Sequence, residues 1–232
     1  LGTCRIRNAD AIDWEDMGSF ELRGKPYLFV ADVGDNAKER EHYTIYVLDE
    51  PVSPESEVFA RPLKFRYDDG PHNCEAVALD TERQVFILVE KINVPAFPCR
   101  VYELSWRSEP PNGQRLARRI GTLTRDGFPV PWITGMDISA DGRHAVLSSY
   151  GLVGLQYRRS AHETWEDAFA RPPVEIGLPS VDDGRRQGEA ICYGVDGKTL
   201  FLSSEKKPCP LFCLRVHELG PQEAPATEYP GR

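Results

Sequence analysis

The stretch Asn73-Cys74-Glu75-Ala76-Val77 has a second copy in Gly188-Glu189-Ala190-Ile191, and this repeat is the strongest structural signal in the chain. In both copies an apolar, strand-sized run follows the glutamate, at 85–89 and at 199–203. Each run leads through a loop with Pro and Cys to a matching strand, at 100–104 and at 215–219. Agreement over three strands and a loop indicates one supersecondary unit that the chain uses twice.

Two looser copies extend the repeat. One opens at Asp13-Trp14-Glu15-Asp16-Met17 and the other at Gly135-Met136-Asp137-Ile138, so each copy carries an acidic marker. Roughly four short strands fit between successive markers, and four-stranded antiparallel units at this period are typical of propeller blades. The sequence therefore predicts an all-β chain, a β-propeller with four visible four-stranded blades. The alternative is a β-sandwich with accidental internal similarity.

The ends of the repeat bear on ring closure and on domain organisation. The last copy shows strands only at 188–193, 199–203 and 211–218, whereas residues 1–7 form an extra strand before the first marker. That strand either completes the last blade or ends a preceding blade, and we favour a five-bladed parent that lacks its first blade. We assign residues 1–219 to a single propeller domain and residues 220–232 to a Pro- and Glu-rich C-terminal tail.

Composition excludes several classes of protein. The chain has 36 acidic and 28 basic residues and a net charge of −8, which argues against a nucleic-acid partner. Its longest apolar runs are strand-sized and too short to span a membrane. We expect a globular monomer.

Local signals predict turns, one helix and the state of the cysteines. Asp-Gly steps at 141–142 and 196–197 lie between apolar runs and indicate hairpins, and residues 160–170 are the best helix candidate, with Ser160 as its cap. Cys74 and Cys192 are expected to be buried strand residues, while Cys209 and Cys213 are candidates for a disulfide.

Five segments together resemble a known group: DWEDM (13–17), YLFVADVGDN (27–36), HNCEAVALD (72–80), TGMDISADGR (134–143) and QGEAICYGVDGKTLFLSSE (187–205). They are similar to uncharacterised, mostly exported bacterial β-propeller proteins, which are distantly similar to esterase-like phytase and senescence-marker (gluconolactonase-type) propellers. The resemblance covers nearly the whole chain. It implies the propeller fold, a secreted or periplasmic location and, as in longer relatives, an additional blade before residue 1. It implies no established activity.

The acidic markers predict a metal site. Equivalent residues of the innermost strands face one axis, so Glu15, Glu75, Asp137 and Glu189 should converge there. Such carboxylates repel one another and require a cation, protons or basic partners. Oxygen ligands favour a hard ion, Ca²⁺ first and Mg²⁺ or Mn²⁺ next, with Asp32 and Asn73 as further ligands. The alternatives are that the acids cap backbone N–H groups or pair with Lys91 and Lys206, or that they form a catalytic cluster.

Residues at strand ends are candidates for ligand binding. Asp32, Glu90 and Glu205 are assigned to equivalent ends of second strands, and Lys91 and Lys206 could bind a carboxylate or phosphate. The alternative is that these Glu-Lys neighbours are simply solvated. The predicted ligand-binding residues are Asp35, Asn36, His72, Glu90, Lys91, Glu205 and Lys206.

Two functions remain open at this point. The first is an exported binding or scaffold propeller whose acidic channel holds a divalent cation and whose loop face holds a small molecule or a protein. The alternative is a metal-dependent hydrolase of a lactone, ester or phosphoester, in which a carboxylate-bound ion activates water. A closed carboxylate–lysine network would favour the first, and an ion with open coordination positions would favour the second. Because no acid–base pair or nucleophile motif is identifiable, we favour the binding module, and the catalytic residues stay unknown.

Overall fold

The structure is a computed structural model that describes residues 2–53, 55–94, 97–107, 113–125, 128–130 and 132–215. These residues form β-strands almost throughout, with one short helix. The strand predicted at 215–219 lies largely outside the described residues, as do the tail at 220–232 and Val216, which we expected to match Val101. Nothing helical in the described part has the length and apolarity to cross a membrane.

Blade 1 is a four-stranded antiparallel sheet with the strand order β2-β3-β4-β6. Its last strand alternates buried and exposed residues, which is the period of a strand with one face in the core. The segment contains β1 (Arg5–Arg7), β2 (Trp14–Leu22), β3 (Lys25–Asp32), β4 (Tyr43–Asp49), β5 (Glu57–Phe59) and β6 (Arg61–Tyr67).

Blade 2 has the order β7-β8-β9-β10, and its outer strand pairs in parallel with β6 of blade 1. The two inner strands are buried at every position because both of their faces are covered by neighbouring blades. The strands are β7 (Cys74–Asp80), β8 (Val85–Glu90), β9 (Arg100–Ser105) and β10 (Arg115–Thr122).

Blade 3 has the order β13-β14-β15-β16. A two-stranded ribbon precedes it, and a helix lies between β15 and β16. The helix is capped by Thr164, whose side chain accepts a hydrogen bond from the Asp167 N–H, so the prediction of Ser160 as the cap is wrong. The elements are β11 (Thr124–Arg125), β12 (Phe128–Pro129), β13 (Ile133–Ile138), β14 (His144–Ser149), β15 (Val153–Arg158), α1 (Trp165–Phe169) and β16 (Val174–Gly177).

Blade 4 has three strands in the described part of the chain: β17 (Gly188–Tyr193), β18 (Thr199–Ser204) and β19 (Phe212–Arg215). The strand at residues 1–7 does not complete it. Instead, β1 pairs in parallel with β5 beside blade 1, where Ile6 packs against a buried cluster that includes Val30 and Leu48. The proposal that residues 1–7 close the ring is therefore wrong, and a cleft separates blade 4 from blade 1.

The core lies between blades. Successive strand residues point to opposite faces, so Val77 and Leu88 pack towards blade 1 while Ala76 and Ile87 pack towards blade 3. Val101 is fully buried in the second of these cores. Face-to-face packing of repeated antiparallel sheets, with β2, β7, β13 and β17 as neighbouring inner strands, confirms the propeller prediction.

Both predicted hairpins form, and their glycines explain the Asp-Gly signal. Gly142 (φ +66°) and Gly197 (φ +63°) adopt the left-handed conformation, which costs glycine little. All six cysteines are free thiols, so Cys209 and Cys213 do not form a disulfide. Cys74 is buried as predicted, whereas Cys192 is exposed on the face of blade 4 that lines the cleft, so the prediction that it is buried is wrong.

Candidate functional site

Every inner strand carries a β-bulge opposite the end of its blade's second strand. The register shifts after Trp14 in β2, Cys74 in β7, Ile133 in β13 and Gly188 in β17. The residue inserted at each bulge is Glu15, Glu75, Thr134 or Glu189. A bulge interrupts the regular alternation of a strand and changes the direction of the inserted side chain. The bulge residue is therefore the structurally equivalent position that the acidic markers of the sequence repeat were expected to identify.

Asp137 does not belong to this set. The bulge residue of blade 3 is Thr134, whose hydroxyl donates to the Gly188 carbonyl at 2.6 Å. The Asp137 carboxylate instead accepts hydrogen bonds from the Ile138 and Tyr193 N–H groups, both at 2.8 Å. Burial raises the pKa of Asp137 to about 6, against the opposing effect of these hydrogen bonds. The prediction that Asp137 is equivalent to Glu15, Glu75 and Glu189 is therefore wrong, because the equivalent residue of blade 3 is Thr134, three positions earlier.

Glu75 and Glu189 are joined by a continuous polar chain. The Lys91 ammonium pairs with Glu75, donates to the Tyr150 hydroxyl at 2.7 Å and lies 4.4 Å from the centre of that ring. Tyr150 in turn donates to Glu189 Oε1 at 2.7 Å. We call Glu15, Glu75, Lys91, Tyr150 and Glu189 the axial network.

Sequence reasoning missed Tyr150, although the register contained the signal. Ser149 pairs with Ile133 as Glu90 pairs with Cys74, so Tyr150 occupies in blade 3 the position that Lys91 occupies in blade 2. The same comparison corrects Glu205. In blade 4 Ser204 pairs with Gly188, so Ser204 is the equivalent of Glu90 and Glu205 is the equivalent of Lys91.

The electrostatics of the axial network are dominated by carboxylates. Burial raises the pKa of Glu15 to about 8, and the charges of Glu75, Asp13 and Glu189 add to this while Lys91 opposes it. Burial also raises the pKa of Glu189, against the hydrogen bond from Tyr150. Burial alone would lower the pKa of Lys91, but its hydrogen bonds to Glu75 and Tyr150 outweigh this and raise it. Glu15 therefore retains its proton at neutral pH.

Asn73 links the axial network to the loop that follows β3. Its amide donates to Glu75 Oε1 at 3.3 Å and to Asn36 Oδ1 at 3.4 Å, and its carbonyl oxygen accepts from the Asp35 N–H at 2.6 Å. Gly34 lies in the same loop, where an added Cβ would collide with the carboxylates of Asp13 and Glu15. The loop thus fixes the position of Glu15 beside the axis.

Asp32 and Asp35 lie near this loop but are bonded to the protein itself. Asp32 accepts from the Ile12 and Asp13 N–H groups at 3.1 Å and pairs with Arg40 at 2.8 Å. Asp35 accepts from the Tyr43 hydroxyl at 2.8 Å and from two backbone N–H groups. Burial opposes ionisation of Asp35, but these hydrogen bonds lower its pKa. Both carboxylates stabilise the loop.

His72 and Glu90 form a second polar cluster with Lys38, Asp69 and Arg100. The buried Glu90 carboxylate lies 2.8 Å from Lys38 Nζ, 3.0 Å from His72 Nδ1 and 2.9 Å from Arg100 Nη1. His72 Nε2 lies 2.8 Å from Asp69 Oδ1. Burial raises the pKa of Glu90, but hydrogen bonds from His72 and Lys38 outweigh it and lower the pKa to about 2.

The remaining predicted residues do not join these clusters. Glu205 and Lys206 are exposed, and neither side chain forms an ion pair within the described residues. Across the same part of the chain, no group of three or more His, Cys, Asp or Glu side chains is arranged to hold a metal ion. The Ca²⁺, Mg²⁺ or Mn²⁺ site therefore stays a prediction, and Lys91 is the cation that the structure places among the glutamates.

Comparison with known proteins yields distant structural likenesses. No family model and no curated protein matches the sequence. A candidate 6-phosphogluconolactonase from Bacteroides uniformis is 10% identical with a TM-score of 0.48, over 83% of this chain and 65% of that one. The periplasmic gluconolactonase PpgL of Pseudomonas aeruginosa is 16% identical with a TM-score of 0.45, over 88% and 57%. This chain spans less than two thirds of either structure. These likenesses carry no argument about activity.

Proposed function

We propose that this protein is a binding propeller whose axial network receives a positively charged group. The observation that carries the proposal is the convergence of Glu15, Glu75 and Glu189 from three blades around a single lysine. Lys91 neutralises one carboxylate and Tyr150 donates to another, while Glu15 receives no hydrogen bond from the described residues. A cation that binds beside Glu15 would supply the positive partner that this carboxyl lacks among the described residues. The nearby positive charge would favour the ionised form of Glu15.

The positively charged group that we propose for the axial network is a divalent cation. The available donors are oxygen atoms, which suit Ca²⁺ first and Mg²⁺ or Mn²⁺ next. Since Lys91 already pairs with Glu75, such an ion would be held mainly by Glu15 and Glu189. The predicted ligands Asp32 and Asp137 already accept hydrogen bonds from backbone N–H groups, which favours a small ligand set completed by water.

Thermal unfolding tests the proposal. A ligand that binds only the folded state stabilises it by mass action, so CaCl₂ should raise the Tm beyond the effect of NaCl at equal ionic strength. Glu189→Gln should reduce this increase. Glu21→Gln, on an exposed position of β2, is the matched control and should retain it. If the Tm responds to none of Ca²⁺, Mg²⁺ and Mn²⁺, the glutamates are structural pairing groups and the proposal of a divalent cation is wrong.

One observation favours the alternative, a metal-dependent hydrolase of a lactone, ester or phosphoester. The pKa of Glu15 is raised to about 8, first by burial, and a carboxyl that is protonated at neutral pH can act as a general acid. The closed carboxylate–lysine chain from Glu75 through Lys91 and Tyr150 to Glu189 favours the binding module instead. Turnover of a lactone, ester or phosphoester that Glu15→Gln abolishes would establish the hydrolase.

We further propose that the protein acts outside the cytoplasm, as a secreted or periplasmic monomer that binds a small molecule or a protein at its loop face. The resemblance to exported propellers supports this location. Fractionation of cells that express the native gene tests the location, and sedimentation of the purified chain tests its monomeric state.

A further inference from the structure

The loop face is the end of the fold where the second strand of each blade finishes and the inner strand begins. In blades 2, 3 and 4 the residue directly before the inner strand has the same role there. Its carbonyl oxygen accepts a hydrogen bond from the N–H of the residue that follows the second strand. The three bonds measure 2.8–3.3 Å and join Lys91 to Asn73, Tyr150 to Trp132 and Glu205 to Gln187. The second residue of each pair therefore occupies the same position of the repeat.

In blades 2 and 4 this position holds an amide that binds the glutamate of its own blade. Asn73 donates to Glu75 Oε1 at 3.3 Å, and Gln187 donates to Glu189 Oε1 at 3.4 Å. In blade 3 the same position holds Trp132. An indole therefore stands in the ring of residues around the axial network where the two neighbouring blades have amides.

The backbone of Trp132 is strained. Its φ of +59° lies in the left-handed region, which a bulky side chain rarely adopts. Two backbone hydrogen bonds hold it there, one to the Ile92 carbonyl and one from the Tyr150 N–H. The residue is 38% exposed, and its indole N–H has no acceptor among the described residues. Strained residues cluster at binding sites, and an exposed indole with an open donor is suited to contact a ligand.

Exposed apolar side chains lie on the loops around Trp132. They are Val94 and Phe97 after β8, Leu152 after β14 and Val181 before β17, each 52–61% exposed. Hydrogen bonds connect these loops, because Trp132 bonds to Ile92 and Tyr150, and Arg185 reaches the Gly151 carbonyl at 3.0 Å. Blades 2 and 3 each pack against a neighbouring blade on both sides, so the exposure of their loops is independent of the cleft. Exposed apolar groups gathered at one end of a fold mark an interaction surface.

The axial network gives this end of the fold a negative charge. Glu75 and Glu189 are the second residues of β7 and β17, so both lie at the loop face. Lys91 pairs with Glu75, whereas Glu189 accepts hydrogen bonds from two neutral groups, those of Tyr150 and Gln187. The chain as a whole has a net charge of −8. A partner that complements this surface is therefore basic.

We infer that the loop face of blades 2 to 4 is a docking surface for a protein segment that presents an arginine side chain flanked by apolar residues. The guanidinium lies at Trp132 and Glu189, which are near each other because Thr134 donates to the Gly188 carbonyl at 2.6 Å. A guanidinium stacks on aromatic rings and binds a carboxylate through two parallel N–H donors. The inference rests on the proposed function, in which the axial network accepts positive charge, and it adds the class of partner.

Selection from a displayed library of random twelve-residue peptides tests the inference. Sequences with arginine between apolar residues should be enriched, and a synthetic peptide of the enriched sequence should bind in calorimetry. Its citrulline analogue has the same shape without the charge and should bind at least tenfold more weakly. The lysine analogue should also bind more weakly, because an ammonium group cannot form the two parallel bonds. Absence of arginine enrichment, or equal affinity of the citrulline analogue, overturns the inference.

Variants locate the surface. Trp132→Asn should weaken the arginine peptide at least tenfold, and the fold should be retained because asparagine tolerates the left-handed conformation. Glu189→Gln should remove the preference for arginine over citrulline. Phe59→Asn removes an exposed aromatic residue from β5 and is the matched control, which should bind as the parent does. Unchanged binding by Trp132→Asn contradicts the assignment of the surface.

The inference and the proposed function fail separately. If Ca²⁺ raises the Tm but no arginine peptide is enriched, the axial network holds a metal ion and the docking surface is wrong. If the arginine peptide binds as expected and the Tm responds to no divalent ion, the docking surface stands and the proposed metal ion is wrong. If neither ligand has an effect, the axial network accepts no positive charge and both proposals are wrong.

Discussion

Glu15→Gln is expected to stabilise the protein at alkaline pH. The pKa of Glu15 is about 8 in the folded state because of burial and the neighbouring Glu75 and Asp13, against 4.5 for the ordinary side chain. At a pH between about 4.5 and about 8, Glu15 is protonated in the folded chain and ionised in the unfolded chain. Stability therefore falls as pH rises from about 4.5 to about 8 and then levels off. Glutamine mimics the protonated carboxyl and cannot ionise, so the variant loses this decline.

The size of the effect follows from the shift and from the exposure of the side chain. Each pKa unit corresponds to about 1.4 kcal/mol, so the full shift would amount to about 5 kcal/mol. Glu15 remains partly in contact with solvent, which screens the neighbouring charges, and the expected gain at about pH 9 is therefore about 1–2 kcal/mol. Near pH 5 the parent and the variant should have similar stability.

Urea unfolding at about pH 5, 7 and 9 measures the effect, with tryptophan fluorescence, to which the fully buried Trp165 contributes, as the signal. Glu21→Gln removes a carboxylate from the same strand at an exposed position and should show no such pH dependence. A stability difference between the parent and Glu15→Gln that is the same at pH 5 and pH 9 would falsify the assignment of a protonated Glu15.

Three further substitutions test the network and the blade packing. Lys91→Met should cost about 3–5 kcal/mol because it leaves a buried carboxylate without its partner, and adding Glu75→Gln should restore part of the loss in a chemical unfolding series. Val101→Ala should cost about 1–3 kcal/mol, since this side chain is fully buried between blades 2 and 3, and an unchanged melting curve would contradict that packing. Gly188→Ala should cost about 1–3 kcal/mol because its Cβ would collide with the guanidinium of Arg185, and calorimetric melting should show the decrease.

The blades were predictable because each strand and turn is specified by residues that are close together in the sequence. Alternating or continuous apolar runs and Asp-Gly turns define each strand, and the repeated glutamate places each run in its blade. Pairing of β1 with β5 was not predictable, because a short strand at the beginning of the chain has no local signal for its neighbour. The same holds for the cap of α1, where Thr164 and Ser160 are chemically equivalent candidates.

The site was predictable only where the bulge residue is acidic. In blade 3 the bulge holds Thr134, so an alignment based on acidic residues selects Asp137, which accepts hydrogen bonds from the backbone N–H groups of Ile138 and Tyr193. Tyr150 was missed because its hydroxyl replaces the ammonium group of Lys91 at the same position. A hydroxyl and an ammonium group can both donate a hydrogen bond from the same position. A sequence comparison that looks for the same residue type does not recognise them as equivalent.

The position of Glu15 in the ring explains why it differs from the other two glutamates. Glu75 and Glu189 each receive a hydrogen bond from the residue that follows a second strand, Lys91 or Tyr150. In blade 1 Asp32 pairs with Trp14 as Glu90 pairs with Cys74 in blade 2, so Val33 holds the position of Lys91 and offers Glu15 no side-chain donor. A carboxyl that is buried among acids without a donor keeps its proton, which explains the raised pKa of Glu15. The difference between Glu15 and the other two glutamates therefore lies in the residue after the second strand, which is a donor in blades 2 and 3 and an aliphatic side chain in blade 1.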